Sequence, residues 1–253
     1  MLPTCWQLTA VKALLVTFSN LSCTYFNVRS IVNKLQELHQ LLYSNTFDII
    51  FITESWLHDE VTDGSLVPHS CYVILRKDRK LCRGGGVCIF IKKCFNPIPV
   101  IFDSKYDELE IIGFDLFTGI YTVRYFAVYR RPTFDSAAVS YMTELLDCLS
   151  VYGSVNRTVV IVGAFNLPKI DYTSPSDTIH QMFVSFVVHF GLTQLINFKT
   201  HESNILDLLI CNDVNYISRL QADVPFGSSD HATITFNMVF PEKKQQLFQS
   251  AAK

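Results

Sequence analysis

The sequence predicts an α/β sandwich in one domain. Strand-like apolar runs are numerous, and helix-like segments separate them only in places, which argues against a simple parallel sheet. No internal repeat, low-complexity tract or Pro/Gly/Ser-rich linker divides the 253 residues. Hydrophobic residues make up 49% of the chain, aromatics 13% and charged residues 17%, enough apolar material for a sizeable core and too much for disorder.

Taken in order, residues 22–26 read as a short strand ending at Asn27. Ser30 is placed to cap a helix in which Ile31, Leu35, Leu38 and Leu42 share one face. Residues 47–53 form a near-continuous apolar run, the pattern of a strand buried on both faces. Gly84, Gly85 and Gly86 precede a strand over 87–91. Residues 111–116 and 123–129 predict a hairpin across 117–122. A helical period covers 137–152, and a β-branched core strand follows at 158–162. Ile179, Met182, Phe183, Phe186 and Phe190 mark another helix, and strands at 206–211 and 233–239 complete the set. The expected divisions are a leader over 1–21, the domain over 22–240 and a polar tail over 241–253.

Charge and cysteine content exclude several classes. A formal net charge of −2 offers no global basic field for nucleic acid. The positive charge is local: Arg76, Lys77, Arg79, Lys80 and Arg83, followed by Lys92 and Lys93, form either a solvated hairpin or a phosphate-contacting edge. The eight cysteines show no paired C-x-x-C arrangement, so Cys82, Cys88 and Cys94 are expected to be reduced thiols in strands rather than zinc ligands. Asn20 and Asn156 fit the short glycosylation pattern, which arises often by chance. No apolar run reaches the roughly 18 residues that span a membrane. Residues 8–18 are apolar but short and carry Lys12, with no small-residue cleavage site after them. The expectation is an extra strand or an unstructured leader rather than a signal peptide.

Polar residues stand at the ends of the apolar runs: Asn27, Glu54, Tyr129 and Asn166, with Asp207, Asp230 and His231 further on. Ligand groups in α/β folds gather at strand ends, so these residues are expected to converge on one pocket. A single strand-end polar residue more often makes a turn hydrogen bond; the ordered set lifts the functional reading. The residue types suit phosphodiester hydrolysis. A hard divalent cation takes carboxylate and amide oxygens, which Glu54 and Asn27 offer. His231, Asn166 and Tyr129 can donate to phosphate oxygens, and either Asp207 or Asp230 can hold the His231 tautomer.

These motifs resemble the exonuclease–endonuclease–phosphatase superfamily. More narrowly they are similar to the apurinic-type endonuclease domain of LINE-like (non-LTR) retrotransposons. The resemblance rests on Asn27-Val28-Arg29-Ser30 with Asn33-Lys34, Thr53-Glu54-Ser55-Trp56-Leu57, Arg83-Gly84-Gly85-Gly86-Val87 and Tyr129-Arg130-Arg131-Pro132. It continues through Gly163-Ala164-Phe165-Asn166-Leu167-Pro168, Leu206-Asp207-Leu208 and Ser229-Asp230-His231. Each motif is weak alone; their order over about residues 22–239 is specific. Arg131 replaces a second proline common in the family, and residues 1–18 match nothing in it.

The resemblance implies a four-layer α/β sandwich of two packed mixed β-sheets flanked by helices, with the site at one end. It implies that Glu54 is the main magnesium ligand (manganese as a substitute), supported by Asn27 and Asp230. It places Tyr129 on the scissile phosphate and Asn166 on the phosphate and attacking water. Asp207 and Asp230 then share the tasks of pairing with His231 and supporting the metal, while His231 stabilises developing charge. The implied partner is DNA, held mainly through backbone phosphates, by a monomer without membrane contact, in nucleus or cytoplasm. One position departs from the family: Ala164 stands where an aspartate positions the nucleophilic water. Without the reverse transcriptase that follows such domains, the chain looks like a degenerate or host-captured fragment. The expected function is a DNA-nicking endonuclease impaired at Ala164; the alternatives are an inactive nucleic-acid or protein binding module and a phosphatase of the same fold.

Overall fold

A computed structural model describes residues 19–67, 71–80, 82–154 and 157–240. Twelve strands run in chain order: β1 (Asn20–Asn27), β2 (Ile49–Thr53), β3 (Tyr72–Lys77), β4 (Val87–Lys92), β5 (Ile98–Pro99), β6 (Glu110–Phe117), β7 (Thr122–Tyr129), β8 (Thr158–Ala164), β9 (Thr193–Gln194), β10 (Asp207–Cys211), β11 (Ile217–Asp223) and β12 (Thr233–Val239). The helices are α1 (Leu35–Ser44), the one-turn α2 (Asp63–Leu66), α3 (Ser136–Gly153) and α4 (Thr178–His189).

The strands form two six-stranded sheets, ordered β11-β12-β1-β2-β4-β3 and β5-β6-β7-β8-β10-β9. Both are mixed and built alike: one parallel pair sits in the middle, β1 with β2 and β7 with β8, and the other pairings are antiparallel. The alternation of side chains explains why the central strands read as unbroken apolar runs. Ile49 and Phe51 of β2 face the partner sheet, while Ile50 and Ile52 face α1. Val160, Val162 and Ala164 of β8 likewise face the partner sheet, and Val159 and Ile161 face α3 and α4. Three apolar layers result: one between the sheets, one under α1 and one under α3 and α4. This is the four-layer α/β sandwich.

The hairpin of β6 and β7, the helix α4 and the closing strand β12 follow the sequence expectation. Three details differ. β1 begins at Asn20, and Leu21 is fully buried opposite Met238, so ordered structure starts ahead of the boundary drawn at 22. Ser30 is buried with φ 86° and does not cap α1, which follows a 3-10 turn and has no side-chain cap; only the apolar face was anticipated. Of the three spaced cysteines only Cys88 lies in a strand, since Cys94 is in a 3-10 turn and Cys82 in the exposed loop before the glycines. Residues 1–18 of the expected 1–21 leader, the tail over 241–253 and the Asn156 pattern lie outside the described residues.

Gly163, opposite Val128 one pair before the end of the β7–β8 ladder, is fixed by packing. With φ 155°, an added Cβ would sit 1.9 Å from the carbonyl oxygen of Val128. Backbone cannot yield as a flexible side chain can, so Gly163→Ala is expected to destabilise the fold by at least about 2 kcal/mol, inside the range for overpacked cores. A urea midpoint lowered at unchanged slope checks this; a shift equivalent to less than about 0.5 kcal/mol, the size of an ordinary surface change, would contradict it.

Candidate active site

The two parallel pairs direct four strand ends to one edge of the sandwich. β1 ends in Asn27, β2 is followed by Glu54, β7 ends in Tyr129, and β8 ends in Ala164 two residues before Asn166. The antiparallel neighbours enter at the same edge: β10 starts at Asp207 beside Ala164, and β12 starts two residues after His231. Side chains 25, 27, 53, 129, 164 and 207 fall on the alternation that faces between the sheets. The site is therefore the mouth of the intersheet layer.

On the first sheet, the Asn27 Nδ2 donates to Glu54 Oε1 at 3.0 Å. Asn27 is 1% exposed, and its Oδ1 is buried without a hydrogen-bond partner. An orphaned amide oxygen beside a partly exposed carboxylate fits a hard divalent cation, which takes oxygen ligands and keeps several waters. The chain around this pair is tied down locally. Ser30 N donates to Glu54 O at 2.9 Å, and the buried Lys34 Nζ donates to the carbonyls of Val28 and Ser30 at 2.7 and 3.3 Å. Ser229 Oγ donates to Asn27 O at 2.5 Å, so the Ser229-Asp230-His231 segment is pinned directly onto β1.

Asp207 is fully buried. Its Oδ1 accepts from Tyr25 OH at 2.6 Å and its Oδ2 meets His231 Nδ1 at 2.6 Å. Tyr25 OH also bonds Thr53 Oγ1 at 2.7 Å. Asp207, rather than Asp230, is therefore the partner of His231. Burial pulls the His231 pKa down, but the Asp207 hydrogen bond and charge, with Asp230 and Glu54, outweigh it and leave it raised above 6.5. Asp230 instead forms an ion pair with Arg29 and meets His201 Nε2 at 3.2 Å. Burial raises the Asp230 pKa, but the bonds from His201 and Arg29 win and hold it below the usual carboxylate value.

Asn166 has φ 52° and is braced by the fully buried Arg130. The guanidinium donates to the carbonyls of Phe165, Thr133 and Asn166 at 2.7, 2.8 and 2.8 Å, while Asn166 Nδ2 returns a bond to Arg130 O at 2.6 Å. One amide proton of Asn166 is thus committed, leaving a second proton and Oδ1. Tyr129 is buried against Arg79, whose guanidinium carbon lies 5.4 Å from the ring centre. Burial, and then the nearby Glu54 charge, push the Tyr129 phenol well above its ordinary pKa, so it stays a neutral donor. The glycine motif hooks onto the Glu54 segment: Trp56 N donates to Gly85 O at 2.9 Å, and Arg83 lies 5.1 Å over the Trp56 ring.

The basic cluster changes character in three dimensions. Arg76 pairs with Asp63 and Asp78, Lys77 with Asp107, Arg79 with Glu110 and Lys92 with Asp48. Among the described residues of the cluster, Lys80, Arg83 and Lys93 carry no ion pair. Lys80 and Arg83 line a cleft of about 340 Å³ beside Trp56 and Leu57. The set of cations without an ion pair is therefore narrower than the sequence run suggested. Sequence reading missed Tyr25, Arg130 and His201, which reach the mouth only through tertiary contacts.

The family described as endonuclease-reverse transcriptase matches residues 123–235, a span that includes Tyr129, Ala164, Asn166, Asp207, Asp230 and His231 but not Asn27 or Glu54. No curated protein matches the chain. Among solved structures, the AP endonuclease LMAP of Leishmania major superposes with a TM-score of 0.71 at 12% identity, covering 88% of this chain and 89% of that one. The endonuclease domain of TRAS1, a telomere-specific non-LTR retrotransposon, gives 0.68 at 14% identity, with 88% and 100% covered. The 3′ phosphatase NExo from Neisseria, bound to a product DNA hairpin, gives 0.69 at 16% identity, with 87% and 100% covered.

The raised His231 pKa links protonation to stability. A folded pKa above the unfolded value of about 6.5 means that the contribution is fully present below that value and is lost as pH rises through the folded pKa. Asp207→Asn is expected to lower the His231 pKa, read by NMR titration, and to flatten this segment of the stability–pH curve. An unchanged His231 titration in the variant would contradict the pairing.

Proposed function

From a chain with the exonuclease–endonuclease–phosphatase fold and an endonuclease–reverse transcriptase match over residues 123–235, we propose a divalent-metal-dependent phosphodiesterase domain of the non-LTR retrotransposon type, acting on DNA and impaired at Ala164. The observation that carries this reading is the meeting of two preset pairs, Asn27 with Glu54 and Asp207 with His231, at the mouth of one intersheet layer.

Glu54 and the free Oδ1 of Asn27 would hold magnesium, or manganese in its place, with Asp230 as a further oxygen once released from Arg29. Such an ion supplies Lewis-acid stabilisation of the charge that develops on phosphate oxygens. The chain's own residues do the rest. Asp207 fixes His231 through Nδ1, and the imidazolium form, favoured by the raised pKa, donates from Nε2 to a phosphate oxygen. Tyr129 donates its phenolic proton, kept in place by its raised pKa. Asn166, braced by Arg130, offers one proton and one oxygen to orient water and phosphate. Lys80 and Arg83 bear on the DNA backbone from the Trp56 side.

What the mouth lacks at residue 164 is a carboxylate to take the water's proton. Ala164 offers only a buried methyl group. Glu54 is bonded to Asn27, Asp207 to Tyr25 and His231, and Asp230 to Arg29 and His201. The second reading, a binding module without cleavage, is favoured by the methyl group at residue 164.

Ala164→Asp is expected to raise magnesium-dependent plasmid nicking by at least about a hundredfold, the scale of a positioned general base. An intact chain that already nicks as fast as the variant would contradict the role given to residue 164. Separately, neutralising Lys80 and Arg83 together should reduce the slope of log affinity against log salt for duplex DNA by about 2, one unit per lost phosphate contact. An unchanged slope would remove this edge from the DNA surface.

A further inference from the structure

The Ser229-Asp230-His231 segment reaches a neighbour that plays no part in the proposed hydrolysis. His201, in the loop before β10, lies beside His231 with ring centres 4.5 Å apart and ring planes tilted by 40°, and its backbone bridges to His231. Its Nε2 lies 3.2 Å from Asp230 Oδ2. One potential ligand atom from each of His201, Asp230 and His231 lies within 4.8 Å of the others. We propose that these three residues form a binding site for a zinc-class divalent cation, separate from the Glu54–Asn27 oxygen pair.

The spacing that makes the His201–Asp230 hydrogen bond is also compatible with a shared cation. Two ligand atoms at about 2.0–2.1 Å on a tetrahedral ion stand about 3.3 Å apart. The His201–Asp230 separation of 3.2 Å already matches that spacing. The His231 ring is preset for the task. Asp207 holds Nδ1, itself held by Tyr25, so Nε2 is the nitrogen left for a metal, the carboxylate–histidine arrangement that orients metal-bound imidazoles. Two imidazoles and one carboxylate favour zinc, cobalt or nickel over magnesium, which takes oxygen ligands. Arg29 bonds Asp230 where the cation would sit, and its exposed side chain can swing away without disturbing packing.

Occupancy would take His231 and Asp230 out of the hydrolytic arrangement. That consequence rests on the proposed function, whereas the cation site itself does not. Zinc would then compete with magnesium for Asp230 and silence a chain otherwise able to cleave, the Ala164→Asp variant included.

The full chain, reduced and free of magnesium, is titrated calorimetrically with zinc and spectroscopically with cobalt. One ion per chain is expected. Bound cobalt should show visible absorption without the intense near-ultraviolet band of a thiolate ligand, which separates this site from the exposed Cys71, Cys82 and Cys94. His201→Ala should weaken binding at least about tenfold, as losing a direct ligand must cost no less than losing a supporting contact. His201→Gln, which keeps side-chain bulk, should do the same with an unchanged melting temperature in the absence of metal. Equal affinity in folded His201 variants, a thiolate band, or a zinc dissociation constant above about 1 mM (a free energy of only about −4 kcal/mol) would overturn the site. Adding magnesium reads the other reading separately: if zinc binding depends on His201 and magnesium does not compete, the cation site stands and Asp230 is not a magnesium ligand.

Discussion

A carboxylate removed from water is costly unless its oxygens find donors, and Asp207 at the mouth of the sandwich has no solvent exposure. One oxygen accepts a hydrogen bond from the Tyr25 hydroxyl, on a strand of the other sheet, and the other is met by His231 from the segment ahead of β12. This single group therefore ties the two sheets together at one end and orients the His231 imidazole. Thr53, the last residue of β2, bonds the same Tyr25 hydroxyl and extends the connection to the strand that presents Glu54. Removing either partner would leave a buried charge uncompensated, the costly outcome for such pairs.

Around that anchor the backbone is held in conformations that most residues avoid. Arg29, Ser30, Glu54, Trp56 and Asn166 all have positive φ, and all lie in segments that end at the mouth. Such conformations cost of order 1–3 kcal/mol each and persist where their surroundings over-determine them. Here the surroundings are specific: Lys34 grips the carbonyls of Val28 and Ser30, Arg130 grips three carbonyls around Asn166, and the Gly85 and Gly86 carbonyls receive the Trp56 and Ser55 amides. Several motif residues that touch no substrate thus have a physical task, which is to hold strained loops still. Ala164 departs from this pattern without disturbing it. Its methyl group packs in the intersheet core, so an apolar residue there is compatible with the framework of the site.

The central strands were legible because both faces are apolar. Ile49 to Thr53 and Val159 to Val162 are buried on each side, and a continuous β-branched run is what such burial requires. β3, β5, β9 and β11 were not. β11 is mostly exposed and bulged between Ser218 and Gln221, while β5 and β9 are two residues long, so no apolar pattern marks them. The strand-end residues were legible as a set, since polar groups directly after apolar runs stand out. Their partners were not: Tyr25 reads as core, His201 as a loop residue and Arg130 as part of a turn, until the fold brings each to the mouth. The same applies to charge. Arg76, Arg79 and Lys92 look like a surface run in sequence, yet each closes an ion pair with an acid at least thirteen positions away in the fold or on the facing loop.

The measurement that bears most directly on the reading of the mouth is anomalous scattering from crystals of the chain grown with manganese and a short DNA duplex. A manganese peak in coordinating contact with Glu54 and Asn27 Oδ1, with a backbone phosphate between it and His231, is the expected result. A phosphate bound elsewhere, or an empty Glu54–Asn27 pair at saturating manganese, would contradict the assignment of this end of the sandwich as a metal-dependent phosphodiester site.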